Sequence, residues 1–166
     1  MKHLALIPLI ALATPVAGQE LVFDPGATAS CVAAQETDHA ALLCVGRSAT
    51  ACMDLTEGGT TTVGMGGCLD RERAYWDTEL NAAYQDALAD AQRIDAEAAE
   101  YGFRTPPMEE ALRAMQRAWI SYRDELCTFE RSKWGGGTGG GPATAGCLMQ
   151  ETARQTLLLR RGVGLE

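Results

Sequence analysis

The sequence predicts an all-α fold, an antiparallel helical hairpin or bundle with a disulfide-rich N-terminal extension, and three observations lead there. Two long stretches place apolar residues at alternating steps of three and four, the spacing of one helix face. A short proline-containing turn separates them, which sets two helices side by side and antiparallel. No stretch of useful length alternates apolar and polar residues as a strand would.

The chain opens with MKHLALIPLIALATPVAGQE, which has a basic Lys2, an apolar run over residues 4–13 and the small residues Val16 and Gly18. This pattern predicts a secretory signal peptide over residues 1–18, cleaved after Gly18. The apolar run is too short to span a bilayer and no other segment approaches that length, so no membrane span is expected. Residues 19–67 form a cysteine-rich extension, in which a short helix over 38–45, a second over 49–55 and a loop through the glycines of EGGTTTVGMGGC are expected.

From residue 69 the pattern becomes helical. Trp76, Leu80, Ala83, Ala87, Ala91, Ile94, Ala98 and Tyr101 recur on one face, and Gly102 stands at a C-cap position. FRTPP then turns the chain, with Thr105 as an N-cap, Pro106 at the first helical position and Glu109 and Glu110 near the positive helix end. Met108, Leu112, Met115, Trp119, Tyr122, Leu126 and Phe129 repeat the three-and-four step in a second helix. The run WGGGTGGGP ends it, and a last helix over 143–161 is anchored by Leu148, Leu157 and Leu158. Residues 68–162 make up the helical domain.

The full chain has 14 basic and 22 acidic residues. Loss of the leader removes only Lys2 among them, leaving about 148 residues with a net charge of −9. Such a balance excludes nucleic acid as a partner class and favours a basic partner or simply solubility. The six cysteines, Cys31, Cys44, Cys52, Cys68, Cys127 and Cys147, all follow the leader, and an even count in an oxidising compartment predicts three disulfides. Cys127 and Cys147 flank the glycine run and are expected to pair, tying two helices together; pairing among the other four stays open. No CxxC occurs and His39 is the only histidine outside the leader, so neither a metal nor another cofactor is expected.

Catalytic chemistry is not signalled. A nucleophilic thiol would have to stay unpaired beside His39, and the glycine run lacks the Lys-Ser/Thr ending of a phosphate loop. Trp119 and Tyr122 are expected to pack on the Trp76 and Leu80 side of the preceding helix, with Arg123 paired to Asp124, Asp77 or Asn81. Asp86, Asp90, Glu97 and Glu100 form an acidic stripe, interrupted by Arg93, that reads either as a solvated face or as the patch that suits a basic partner.

The segments CLDRERAYWDTELNAAYQDAL, AMQRAWISYRDELC and CLMQETARQTLLL together resemble the LprI family of exported bacterial proteins. The family motif falls on Cys68, Leu80, Asn81 and Tyr84, then Gln116, Trp119, Tyr122, Arg123, Asp124 and Cys127, then Cys147, Thr152 and Arg154. Asp77 is offset from the family's acidic position, the extension over 31–52 is additional, and the lipid-attachment cysteine of lipoprotein members is absent. The resemblance implies a non-enzymatic inhibitor of lysozyme acting in the periplasm or cell envelope, where lysozyme or another basic envelope protein would be the partner. The rival readings are a structural or stress-related envelope protein and a wall-active hydrolase.

Overall fold

The computed structural model describes residues 20–102 and 106–162; the leader over 1–18 and the expected Thr105 cap lie outside them. The described residues form six helices and no strand: α1 Gly26–Ala33, α2 Asp38–Leu42, α3 Arg47–Leu55, α4 Thr62–Glu100, α5 Met108–Ser132 and α6 Gly140–Arg160. The fold is all-α, as the helical periodicity requires.

Helix α4, with 39 residues, is about 60 Å long and organises the molecule. Its buried stripe runs Gly64, Cys68, Glu72, Trp76, Leu80, Ala83, Ala87 and Ala91, steps of four closing to one step of three. The most extensive contact along this helix is with α6, while α5 packs less closely on both. Among the described residues α5 buries only Leu112 and Cys127 fully, whereas α6 buries Met149, Thr152, Ala153, Gln155, Thr156, Leu157 and Leu159. Small side chains on α6 explain this ordering. Ala153 lets α6 close over the Trp76 ring, with Ala49 and Met149 packed beside it, and Leu159 joins Leu80, Ala83, Ala87, Ala91 and Leu112 in a second cluster.

The structure corrects four expectations about element limits. The glycines of EGGTTTVGMGGC are not all loop: α4 begins at Thr62, ahead of the helical pattern expected from 69, and Thr61 caps it by accepting from the Gly64 amide at 3.1 Å. Gly64 is required for proximity, because a Cβ there would lie 2.3 Å from the Gly58 carbonyl oxygen. The helix expected over 38–45 stops at Leu42, and an unforeseen α1 precedes it. Helix α6 starts within the glycine run, at Gly140. Pro106 precedes α5 rather than opening it; the Asp95 carboxylate of α4 accepts from the Met108 and Glu109 amides at 2.8 and 2.9 Å and caps the helix from outside. Leu158, expected as an anchor, is exposed because Leu157 and Leu159 occupy the buried positions beside it.

Three disulfides join Cys31 to Cys44, Cys52 to Cys68 and Cys127 to Cys147. The first ties α1 to the turn after α2, the second ties α3 to α4, and the third ties α5 to α6. Thiol labelling of the oxidised chain under denaturing, non-reducing conditions is therefore expected to find no reactive cysteine; two labelled thiols would contradict the pairing. Replacing both Cys127 and Cys147 by alanine opens a loop with a sequence separation of 20, and denaturant melts should register a loss of about 3 kcal/mol.

The extension is not merely stapled on. Glu72 is fully buried, and it accepts hydrogen bonds from the Gly46 and Ala49 amides at 2.7 Å each, from the Thr28 hydroxyl at 2.9 Å and from the Trp76 indole at 3.3 Å. Gly46 is the N-cap of α3, so this carboxylate from α4 supplies acceptors that the start of α3 lacks. Thr28 and Ser48 complete the knot: each amide donates to the other's hydroxyl, at 3.0 and 2.9 Å.

Candidate functional site

The motif residues separate into two surface clefts on either side of α5. The first, about 350 Å³, opens between α2, α5 and α6. Asp38 and Leu42 come from α2, Trp119 and Tyr122 from α5, and Glu151, Arg154, Gln155, Leu157 and Leu158 from α6, with Arg161 at its C-cap. The second, about 290 Å³, lies along α4 and α5 and is lined by Asn81, Tyr84, Arg113, Gln116, Arg117 and Ile120. Gln155 joins the two sides: its amide donates to the Gln116 side-chain oxygen at 2.9 Å and to the Met115 sulfur at 3.4 Å. The motif's Gln116 is thus a strut between α5 and α6.

Local placement follows from the helix period. Trp119 and Tyr122, three residues apart, share one face of α5. Trp119 is half-buried against the Leu80 cluster, as expected, but Trp76 belongs to the α6 contact instead. Tyr122 departs from expectation: it is 59 % exposed, because the apolar stripe of α5 is wider than the surface that α4 and α6 offer it. Arg123 stacks its guanidinium over the Trp119 ring at 4.9 Å and donates to Asp124 at 2.8 and 2.9 Å. Of the three partners the sequence offered, Asp124 is the one used for this pairing; Asp77 pairs with Arg73.

The charges of the first cleft are unevenly satisfied. Asp38 is held by Arg161. Glu151 has only Arg154, at 3.8 Å, and no hydrogen bond among the described residues. Thr152, in the same motif, is fully buried with its hydroxyl unpartnered. In the second cleft, Arg113 donates to Glu109 at 2.7 and 2.9 Å. That guanidinium, with Gln92 as the next contributor, holds the Glu109 carboxyl below its ordinary range. Glu109 in turn raises Arg113 above its own, with a smaller contribution from Tyr84.

The acidic stripe lies elsewhere. Asp86, Glu97 and Glu100 are exposed and Asp90 is half-buried. Arg93 pairs with Asp90 at 3.4 Å and with Glu97 at 2.9 Å, so part of the stripe is already neutralised. Asp90, Glu97 and Glu100 flank the end of α4 that caps α5 through Asp95, and none of the four acids lines either cleft. The fold therefore does not bring the stripe and the first cleft together.

A family model described as "Lysozyme inhibitor LprI" matches residues 52–159, from the end of α3 through α6. The chain belongs to the LprI family. Its LprI region takes in both clefts' α4, α5 and α6 walls and two of the disulfides, while Asp38, Leu42 and Arg161 reach the first cleft from outside the match. An uncharacterised 17.7 kDa protein of the puhA 5′ region of Rhodobacter capsulatus is 32 % identical over 132 residues, 78 % of each chain. An uncharacterised protein of Rhizobium meliloti (strain 1021) is 33 % identical over 93 residues, 56 % of this chain and 67 % of that one. No solved structure gives a significant match.

Sequence reasoning passed over Glu151, Gln155, Asp38 and Leu42. Glu151 and Gln155 each adjoin a motif residue, Thr152 or Arg154, so a scan of the motif's neighbours would have reached them. Asp38 and Leu42 carried no such signal, because only folding sets α2 against α6.

Proposed function

We propose that this chain is an exported, non-enzymatic binding protein that inhibits lysozyme in the periplasm or cell envelope. The observation that carries the reading is the family-model match over residues 52–159, described as a lysozyme inhibitor. Within the chain, residues 1–18 are a removed leader, 19–67 a cysteine-rich extension and 68–162 the LprI-like helical domain. Export is supported by the leader pattern and by three disulfides, a combination suited to an oxidising compartment. No helix of the described residues is long and apolar enough to cross a membrane.

Clearance of a peptidoglycan suspension by lysozyme, measured with and without the purified oxidised chain, tests the reading directly. Slower clearance in proportion to added protein is the expected outcome. No effect on any lysozyme would return the chain to a structural or stress-related envelope role, and clearance by the chain alone would make it a hydrolase.

The acidic stripe contributes long-range attraction in this reading, set by a net charge of −9 after leader removal. Exposed pairs contribute only about 0–1 kcal/mol each, so the four acids act together. Replacing Asp86, Asp90, Glu97 and Glu100 with their amides is expected to slow association with a basic lysozyme strongly at low salt. The difference should shrink once the screening length falls to about 8–10 Å. Unchanged association at both salt levels would place the attraction on another surface.

A further inference from the structure

We propose that the cleft between α2, α5 and α6 is a socket for one arginine or lysine side chain of a basic protein partner. This deepens the inhibitor reading and rests on it for the partner's identity. The starting point is Glu151, whose side chain is only 14 % exposed. A carboxylate withdrawn that far from water ordinarily collects hydrogen bonds, as Glu72 does. Glu151 collects none among the described residues, and its one ion pair, with Arg154, spans 3.8 Å to a side chain 61 % exposed. Its oxygens are nonetheless not sealed from solvent, since Thr152 holds the one sealed and unpartnered polar side-chain atom in the described residues, and Glu151 lines the cleft. An acceptor partly stripped of water and lining an open cleft is half of a charge-assisted hydrogen bond.

The walls select the other half. Trp119 and Tyr122 line the same cleft, and aromatic faces attract cations. The Trp119 ring already takes one guanidinium, that of Arg123, at 4.9 Å. Tyr122 leaves 59 % of its surface uncovered at the mouth. The cleft's about 350 Å³ has room for an arginine side chain. Two resident cations must yield or stay aside. Arg161 is engaged by Asp38, and Arg154 already extends into solvent, so an incoming guanidinium displaces a weak pair and gains a fork on Glu151. The acidic net charge of the chain favours the same class of partner.

The test uses the full chain after leader removal, with disulfides intact, and two probes. Surface plasmon resonance against a basic lysozyme is run for the parent, Glu151→Gln and Tyr122→Ala; unaltered melting confirms that each variant folds, and Asp54→Asn serves as an exposed control. Binding weakened about 10- to 100-fold by Glu151→Gln and Tyr122→Ala, but not by Asp54→Asn, is the expected result. Independently, arginine ethyl ester is titrated while the Trp119 indole N–H resonance is followed. Saturable shifts near about 1–10 mM, lost in Glu151→Gln, are expected. If lysozyme binds the parent and both variants equally well, the socket is overturned while the inhibitor reading stands. If lysozyme does not bind at all, the inhibitor reading fails, and the arginine titration alone decides the socket. No shift, or shifts produced by a peptidoglycan saccharide in place of arginine ester, would then overturn it.

Discussion

Glu72→Ala is expected to cost the oxidised chain about 3–5 kcal/mol, because it strips acceptors from several buried donors at once, and each donor left unsatisfied costs about 1–3 kcal/mol. The donors are the Gly46 and Ala49 amides, the Thr28 hydroxyl and the Trp76 indole, on three different helices or their caps. The loss should concentrate where those elements meet. Amide exchange at Gly46 and Ala49 is expected to accelerate well before exchange in the middle of α4, since α3 loses the group that caps it. Glu72→Gln is a sharper probe, because it keeps the volume but turns one acceptor into a donor facing donors. It should destabilise by about 2 kcal/mol or more. Urea midpoints for the two variants that match the parent would mean that the extension is held by its disulfides alone.

Trp76→Ala is expected to destabilise by about 3–5 kcal/mol, the range for truncating a buried tryptophan. Trp76 is fully buried between α3, α4 and α6, packed with Ala49, Met149 and Ala153, and its indole N–H serves Glu72. Trp119→Ala, on the face of α5 that α6 and α4 only half cover, should cost less, about 1–2 kcal/mol, with part of that from the lost Arg123 stacking. Paired thermal melts of the two variants read the ordering directly. A larger loss at Trp119 than at Trp76 would mean that α5, rather than α6, closes the core.

That ordering is where sequence and structure part. The three-and-four spacing of Trp76, Leu80, Ala83, Ala87 and Ala91 was enough to determine a long helix and its buried face, because periodicity is a local property that any partner must respect. The pairing of Cys127 with Cys147 was equally accessible, since the glycine run leaves those two thiols few other places to go. The motif residues were legible as a set, and so was the family they mark. Glu72 was hidden by its type rather than its place: it stands four residues from both Cys68 and Trp76 on the same stripe, but a carboxylate belongs in the core only if donors converge on it. Apart from the Trp76 indole, those donors come from α1, α3 and its N-cap, 23 to 44 residues away in the chain, and nothing local announces them.

Tertiary structure alone decided the rest. Two long amphipathic helices joined by a short turn satisfy each other on paper, yet α6 takes the larger share of α4 because alanines and threonines let its backbone approach where the bulky α5 stripe cannot. The surplus of α5 then has to face outward, which is why Tyr122 ends at the mouth of a cleft instead of in a seam. The sequence by itself determined the long helices, the Cys127–Cys147 bridge, family and charge, all properties of single segments or of composition, while the pairing of the other four cysteines came from the fold. Which helix covers which, and hence where Glu151 and Tyr122 meet Asp38, depended on fitting the segments together, since a cleft exists only between surfaces that packing leaves unfilled.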